Sequence, residues 1–312
     1  MKGGSVLYLT FLLQLKNSIM LGCQYSIIAI GFTLFFGMLN VVVFCHGDFY
    51  ILATFTATAL ITAITGIFPP LINSILIIFA LIMAMVITGF VGVIVERTTI
   101  RPFRKAPPVM PILSTIAVGI IIEQLIRLFY PAGSNPQVFP SIFRPGGVNI
   151  GPFLLSNNEV TILIITAVIF ILMFLLFKTT RIGSQIVAIS QDFEAASMIG
   201  INVDRAVSIT FFLGASLAAI AGFMNGIYYT VFRYDMGAIA GIKGFSASVV
   251  GGLGSVFGAV IGGFIMAFVE TFAAAYVPNG SAYRDVFSFS VVLLFLIFRP
   301  SGILGEKIIE KV

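Results

Sequence analysis

The sequence predicts an all-α, polytopic membrane protein of about eight transmembrane helices, at least one of them broken or re-entrant. Three observations carry this. The chain is 59% hydrophobic and only 9% charged, far from the roughly 25% charged residues of soluble domains. Its apolar runs reach the ~20 residues that a helix needs to cross a bilayer. Its lysines and arginines gather in a few loops, the pattern by which positive charge fixes membrane orientation.

The N-terminal stretch MKGGSVLYLTFLLQL superficially resembles a signal peptide. No small-x-small cleavage site follows it, and Lys16, Asn17 and another apolar run come next, so it is expected to be an uncleaved lead-in to the first span. Spans then fall at roughly 18–39, 49–68, 71–95, 112–130, 160–177, 206–231, 256–277 and 282–298. Pro69-Pro70 separates the second from the third, because proline lacks the N–H donor and clashes with the preceding turn. The segment 242–250 is apolar but too short to cross alone, and it runs into Gly251-Gly252-Leu253-Gly254-Ser255. That combination predicts half of a broken element, tolerated at membrane depth only where protein or water satisfies the backbone.

Orientation follows from the loops. The loop 96–111 carries Arg97, Arg101, Arg104 and Lys105; the loop 178–205 carries Lys178, Arg181 and Arg205; the tail carries Arg299, Lys307 and Lys311. The loop 131–158 has only Arg144. The first three are therefore expected in the cytoplasm and the last outside. Span 206–231 then leads outward and 282–298 inward, so 242–277 must start and finish outside. Two shortened helices turning at the glycine cluster would satisfy this, with Lys243 and Asn279 both open to the extracytoplasmic side.

The same residues exclude several function classes. A net charge of +5 without a basic helix or aromatic-basic interleaving does not point to nucleic acid. Cys23 and Cys45 sit in apolar surroundings without CxxC spacing, so neither a metal nor a disulfide is expected. Gly252-Leu253-Gly254 with Gly258 misses the dinucleotide spacing, and Gly241-Ile242-Lys243 lacks the Ser/Thr of a phosphate loop. The chain is thus expected to be no enzyme and to carry no cofactor, and any ATP-driven work falls to a partner.

Within the spans, Glu123 and Arg127 lie four residues apart and can neutralise each other. Glu270 lies deep in its span with no sequence-local partner; it reads either as a substrate or coupling residue or as half of an interhelical pair. Gly214, Ala218, Gly222 and Gly226, and again Gly254, Gly258 and Gly262, recur every four residues. They read as close helix packing or as a pore-lining interface. The run from Asn40 through His46, Gly47 and Asp48 suggests a backbone break lining a polar pathway. Asn40–Asp48 and Gly251–Gly254 are expected to face one shared cavity, apolar with a few polar backbone groups. A polar island, SQDFEAASMIGINVDR at 190–205, bears Asp192, Glu194, Asp204 and Arg205, with Gly200 after Glu194-Ala195-Ala196. A short helix with a small face and a glycine stop can seat in another protein's cleft.

That island resembles the EAA loop of ATP-binding-cassette importer permeases. With Gly37-Met38-Leu39-Asn40, His46-Gly47-Asp48, ERTTIRPFR at 96–104, GIKGFSASVVGGLGSVFGAVIGG at 241–263, SAYRDVFSFSVVLL at 281–294 and RPSGILG at 299–305, the chain resembles the LivH-type permeases of branched-chain amino acid importers. The likeness runs from about Asn17 to Val312; one departure is Val41-Val42-Val43, which reads as an insertion of about three residues. The resemblance implies one permease domain over 1–312, with a coupling loop at about 178–205 in which Glu194, Ala195, Ala196, Gly200 and Asp204 engage an ATPase. From the breaks and the buried charge described above, the translocation pathway is expected to include Asn40, His46, Gly47, Asp48, Gly251, Gly252, Gly254 and Glu270. The implied partners are a second related permease, two ATP-binding subunits holding ATP and magnesium, and an extracytoplasmic binding protein delivering leucine, isoleucine or valine, in a bacterial inner membrane. The alternatives are a permease for urea or amides, or a stand-alone ion-coupled carrier or channel using Glu270, Asp48 and His46.

Overall fold

In hydrocarbon every backbone N–H and C=O must be satisfied within the protein, so apolar runs have to close as helices. The computed structural model describes residues 2–67, 73–104, 106–143, 146–150 and 153–305. Pro69, Pro70, Lys105, Arg144, Lys307 and Lys311 lie outside the described residues. The long helices are α1 (Lys2–Leu39), α2 (His46–Ile67), α3 (Asn73–Val95), α4 (Val109–Phe129) and α5 (Asn157–Thr179). Two short helices, α6 (Arg181–Gln191) and α7 (Phe193–Met198), lead into α8 (Val203–Tyr229). Then come the short α9 (Met236–Gly251), α10 (Val256–Tyr276) and α11 (Gly280–Phe298). Among the described residues, eight helices are long and apolar enough to cross a membrane, as the sequence predicts, and the N-terminal lead-in simply continues α1.

Side-chain pairs fix how the helices run. Gly31 meets Gly214 and Phe35 stacks on Phe211, so α1 and α8 are antiparallel. Phe11 meets Phe272, Ser26 bonds the Val260 carbonyl and Gly37 lies against Gly254, so α1 and α10 are antiparallel too. The end of α1, the start of α8 and the α9–α10 turn therefore share one end of the bundle. Arg104 reaches Asp204 across that end, and among the described residues it carries Arg97, Arg101, Arg104, Lys178, Arg181 and Arg299. By the positive-inside rule it is the cytoplasmic end.

Both expected breaks are present. Helix α1 stops at Asn40, which takes φ of 50°, and α2 resumes only at His46, with Val41–Val43 in the irregular stretch between. Gly252 (φ 107°) and Gly254 (φ 91°) turn α9 into α10 at positive angles that favour glycine. One expectation is corrected here. Only α9 is short, at 16 residues or roughly 24 Å, while α10 is a full span of 21. Lys243 is also not open to the outside but 4% exposed, whereas Asn279 is exposed.

Helices α1 and α8 form the core, with 89% and 83% of their most apolar stretch buried, against 6% for α11 at the rim. The α8 glycines explain how. Phe35 fits over Gly214, the Tyr50 carbonyl over Gly222 and Phe139 over Gly226. On α9 and α10, Gly258 and Gly262 lie against Gly251 and the Ala247 carbonyl. These ladders pack helix on helix, where van der Waals contact drives association. Outside, the described residues of the 131–158 loop are more regular than their composition suggests. Strands β1 (Gln137–Val138) and β4 (Val231–Phe232) pair antiparallel, and β2 (Gly147–Ile150) pairs with β3 (Phe153–Ser156). Edge-to-face contacts of Phe55 with Tyr130 and Phe232, and of Phe139 with Phe223, seal that end. Arg127 does not close an ion pair with Glu123; it donates to Gln124 at 3.4 Å and lies over the Tyr234 ring.

Candidate coupling surface and translocation elements

At the cytoplasmic end, Thr180 caps α6, whose Gly183, Ile186 and Ile189 face inward. The Asp192 carboxylate accepts hydrogen bonds from Glu194 N (3.0 Å) and Ala195 N (2.9 Å), starting α7. The helix stops at Gly200, φ 87°, with Ile201 N donating to the Ala196 carbonyl in a Schellman closure. Ala196 is buried, whereas Glu194, Ala195 and Gly200 are exposed. Sequence reasoning missed the apolar rim: Met198 is 83% exposed and Ile199 76%. Large apolar side chains bared on a short capped helix, beside charges, make a surface suited to a partner.

Asp204, expected on this coupling surface, turns back into the chain. Between α3 and α4 the backbone loosens into a π-turn (Glu96–Ile100) and tightens into a 3₁₀ turn (Arg101–Phe103). This brings Arg101 and Arg104 back over Glu96, which is fully buried. Its carboxylate accepts Arg104 Nη2 at 2.6 Å, Ser208 Oγ at 2.8 Å and Arg101 Nε at 3.3 Å. Arg104 Nη1 donates to Asp204 at 2.6 Å. The cluster ties the end of α3 to the first turns of α8, a few residues after α7. Sequence could have flagged it, since Glu96 stands within reach of two arginines at the end of an apolar span.

The Asn40–Asp48 break is packed rather than open. His46 Nε2 sits 3.1 Å from the Ile28 carbonyl, with Phe32 and Phe35 edge-on to its ring. Gly47 lies against Gly237 and Gly241 of α9, and Asp48 is wedged between Gly119 and Gly237. Gly251 meets Gly258, and Gly252 meets Ser301 and Gly305, at the cytoplasmic end. Among the described residues, most of Asn40–Asp48 and of Gly251–Gly254, expected to share one cavity, is packed against different neighbours. His46, Gly47 and Asp48 pack against the start of α9, and Gly251 and Gly252 pack one helix-length away against α10 and the tail. Only Asn40 and Gly254 remain exposed, near one another through Gly37.

Glu270 does have partners, all distant in sequence. Lys243 Nζ donates to its Oε1 at 2.7 Å, and the Tyr25 hydroxyl to its Oε2 at 2.8 Å. Ser288 adds a longer bond of 3.4 Å. Lys243 also lies 2.7 Å from Asp285 Oδ1, an ion pair whose angles fall outside those of a hydrogen bond. The group borders a cavity of about 300 Å³ at the outer end, lined among others by Gln14, Asn17, Tyr229, Glu270 and Arg284. Among the described residues no cluster has the His, Cys, Asp or Glu donors to hold a metal ion.

Residues 14–296 match the family described as "Branched-chain amino acid transport system / permease component". The high-affinity branched-chain amino acid transport system permease protein LivH of Escherichia coli (strain K12) is 34% identical, over 98% of this chain and 99% of that one. The corresponding BraD permease of Pseudomonas aeruginosa is 32% identical, over 97% and 98%. The galactose/methyl galactoside import permease MglC of Haemophilus influenzae is 28% identical over 60% of this chain and 57% of its own.

Proposed function

Because the chain belongs to the branched-chain amino acid transport permease family, a multi-pass membrane permease rather than a catalyst, we propose that it passes leucine, isoleucine and valine across the bacterial inner membrane as the pore half of an ATP-driven importer. A second related permease completes the pore, two ATP-binding subunits hydrolyse ATP, and an extracytoplasmic binding protein delivers substrate. Near-full-length similarity to LivH and BraD supports the substrate class. It also disfavours a stand-alone carrier.

The observation that carries the mechanism is α7 with its bare Met198 and Ile199, a few residues before Asp204 of the Glu96 cluster. Closure of the ATPase pair pushes on α7. The Asn202 cap, which accepts from Arg205 N at 3.0 Å, passes the displacement to the start of α8. Arg104, gripping both Asp204 and Glu96, passes it to α3. Rocking of α8 and α3 opens the pore alternately to each side, and Asn40 and Gly254, exposed where α1 meets the α9–α10 turn, lie along the inner mouth.

The test replaces Met198 and Ile199 together by glutamate. Both side chains are in water, so insertion and folding should be unchanged, while ATP-binding subunits no longer co-purify and ATP-driven leucine uptake into vesicles is lost. Normal co-purification and uptake in that variant would remove α7 as the docking element.

A further inference from the structure

The outer cavity has a charge pattern of its own. At about 300 Å³ it lies at the lower edge of the ~300–1,000 Å³ range of small-molecule sites. Gln14, Asn17, Tyr229 and Thr271 give it polar walls, and Leu21 and Ala274 give it an apolar side. Glu270 and Arg284 both border it, so groups of opposite charge meet in one small open cleft.

The two cations here are not equivalent. Lys243 is spent, 2.7 Å from both Glu270 and Asp285 and 5% exposed. Arg284 is 53% exposed, and its closest carboxylates, on Glu270 and Asp285, both stand 3.7 Å from Nε. That exceeds the ~3.2 Å limit of a good hydrogen bond. The guanidinium fork, which suits a carboxylate bidentately, is therefore held only by these two loose ion pairs and stays half-open at the cavity wall.

Lys243, Arg284, Glu270 and Asp285 sum to zero charge. A bound anion or a bound cation would unbalance a partly buried group, at a cost that membrane proteins avoid. A zwitterion keeps the balance. We propose that this cavity binds the zwitterion of an α-amino acid, carboxylate on the Arg284 fork and side chain against Leu21 and Ala274, with the ammonium as a further donor toward Glu270, whose carboxylate already accepts from Lys243 and Tyr25 but still borders the cavity. The choice of an amino acid rests on the function proposed above; the demand for paired opposite charges rests on the cavity. The permease then holds a substrate station on its own outer side, within one subunit.

The test is equilibrium dialysis of radiolabelled L-leucine, and of a panel of other α-amino acids, against the intact transporter complex without any soluble binding protein. Saturable binding is expected, weakened at least about tenfold by Arg284→Gln, the loss of roughly one charge-assisted hydrogen bond. Ala275→Phe, which fills the cavity, should abolish it. L-Leucinamide and 4-methylpentanoate, each lacking one of the two charges, should compete at least about tenfold worse than leucine. This competition uses the unaltered protein, so it decides the matter even where a variant folds poorly. Absence of saturable binding by every amino acid, unchanged binding in Arg284→Gln, or equal competition by the singly charged analogues overturns the proposal. Stronger competition by O-phosphoethanolamine than by leucine also overturns it, assigning the site to a lipid headgroup. Leucine uptake into vesicles is read separately. Binding without uptake sinks the substrate assignment and keeps the cavity; uptake without binding does the reverse.

Discussion

Replacing Glu96 by glutamine keeps the shape of a fully buried side chain and removes its charge. Arg104 would then lose its 2.6 Å partner while remaining 16% exposed, with an Nε already lacking a hydrogen bond. Removing one partner of a buried pair costs about 3–5 kcal/mol, because the other charge is left uncompensated. Asp204 stays 2.6 Å from Arg104 but is 57% exposed, so its compensation is screened and worth at most about 1 kcal/mol. The expected loss is therefore roughly 2–4 kcal/mol for Glu96→Gln, against about 1 kcal/mol or less for Asp204→Asn. Thermal unfolding of the two variants in detergent should separate their midpoints by several degrees. ATP-driven uptake should follow the same order, since the cluster joins α8 to α3. Equal midpoints for the two variants would refute the reasoning, because they would mean that burial of Glu96 does not set the strength of the cluster.

Gly47→Leu should yield little folded protein by size-exclusion chromatography, since an added Cβ would overlap the Gly237 carbonyl; leucine there blocks folding, where a cavity-lining role would have blocked only transport. Gly200 has φ of 87° with open space around it, so Gly200→Val should cost about 1–2 kcal/mol of backbone strain and loosen α7, while Gly200→Asn stays near wild type in the same uptake assay. Lys243→Met should destabilise by about 3 kcal/mol, because buried Glu270 loses its 2.7 Å cation and keeps only Tyr25, Ser288 and the looser Arg284, and adding Glu270→Met should recover part of that loss. Additive effects in that double-mutant cycle, read from unfolding midpoints, would show that the pair does not interact.

Much of this architecture is legible in the residues alone. Eight spans follow from apolar length, because a helix must satisfy its own backbone in hydrocarbon. The breaks at Asn40 and at Gly252 and Gly254 follow from residues that tolerate positive φ, and sidedness follows from where Arg97, Arg101, Arg104 and Arg181 stand. The short helix α7 with its stop at Gly200 is legible because Asp192 can cap a helix start and glycine takes the positive φ that ends one. What the sequence does not carry is the identity of partners across the bundle. Glu96 meets Ser208 over 112 positions, and Tyr25 meets Glu270 over 245. The outer cavity exists only because α1, α8, α10 and α11 converge. Nor does hydropathy tell α8 from α11, although one is the core and the other the rim. Lipid is as apolar as a protein interior, so a helix bound for either is built from the same residues. Which face turns inward is decided by packing, where Phe35, Tyr50 and Phe139 find the α8 glycines.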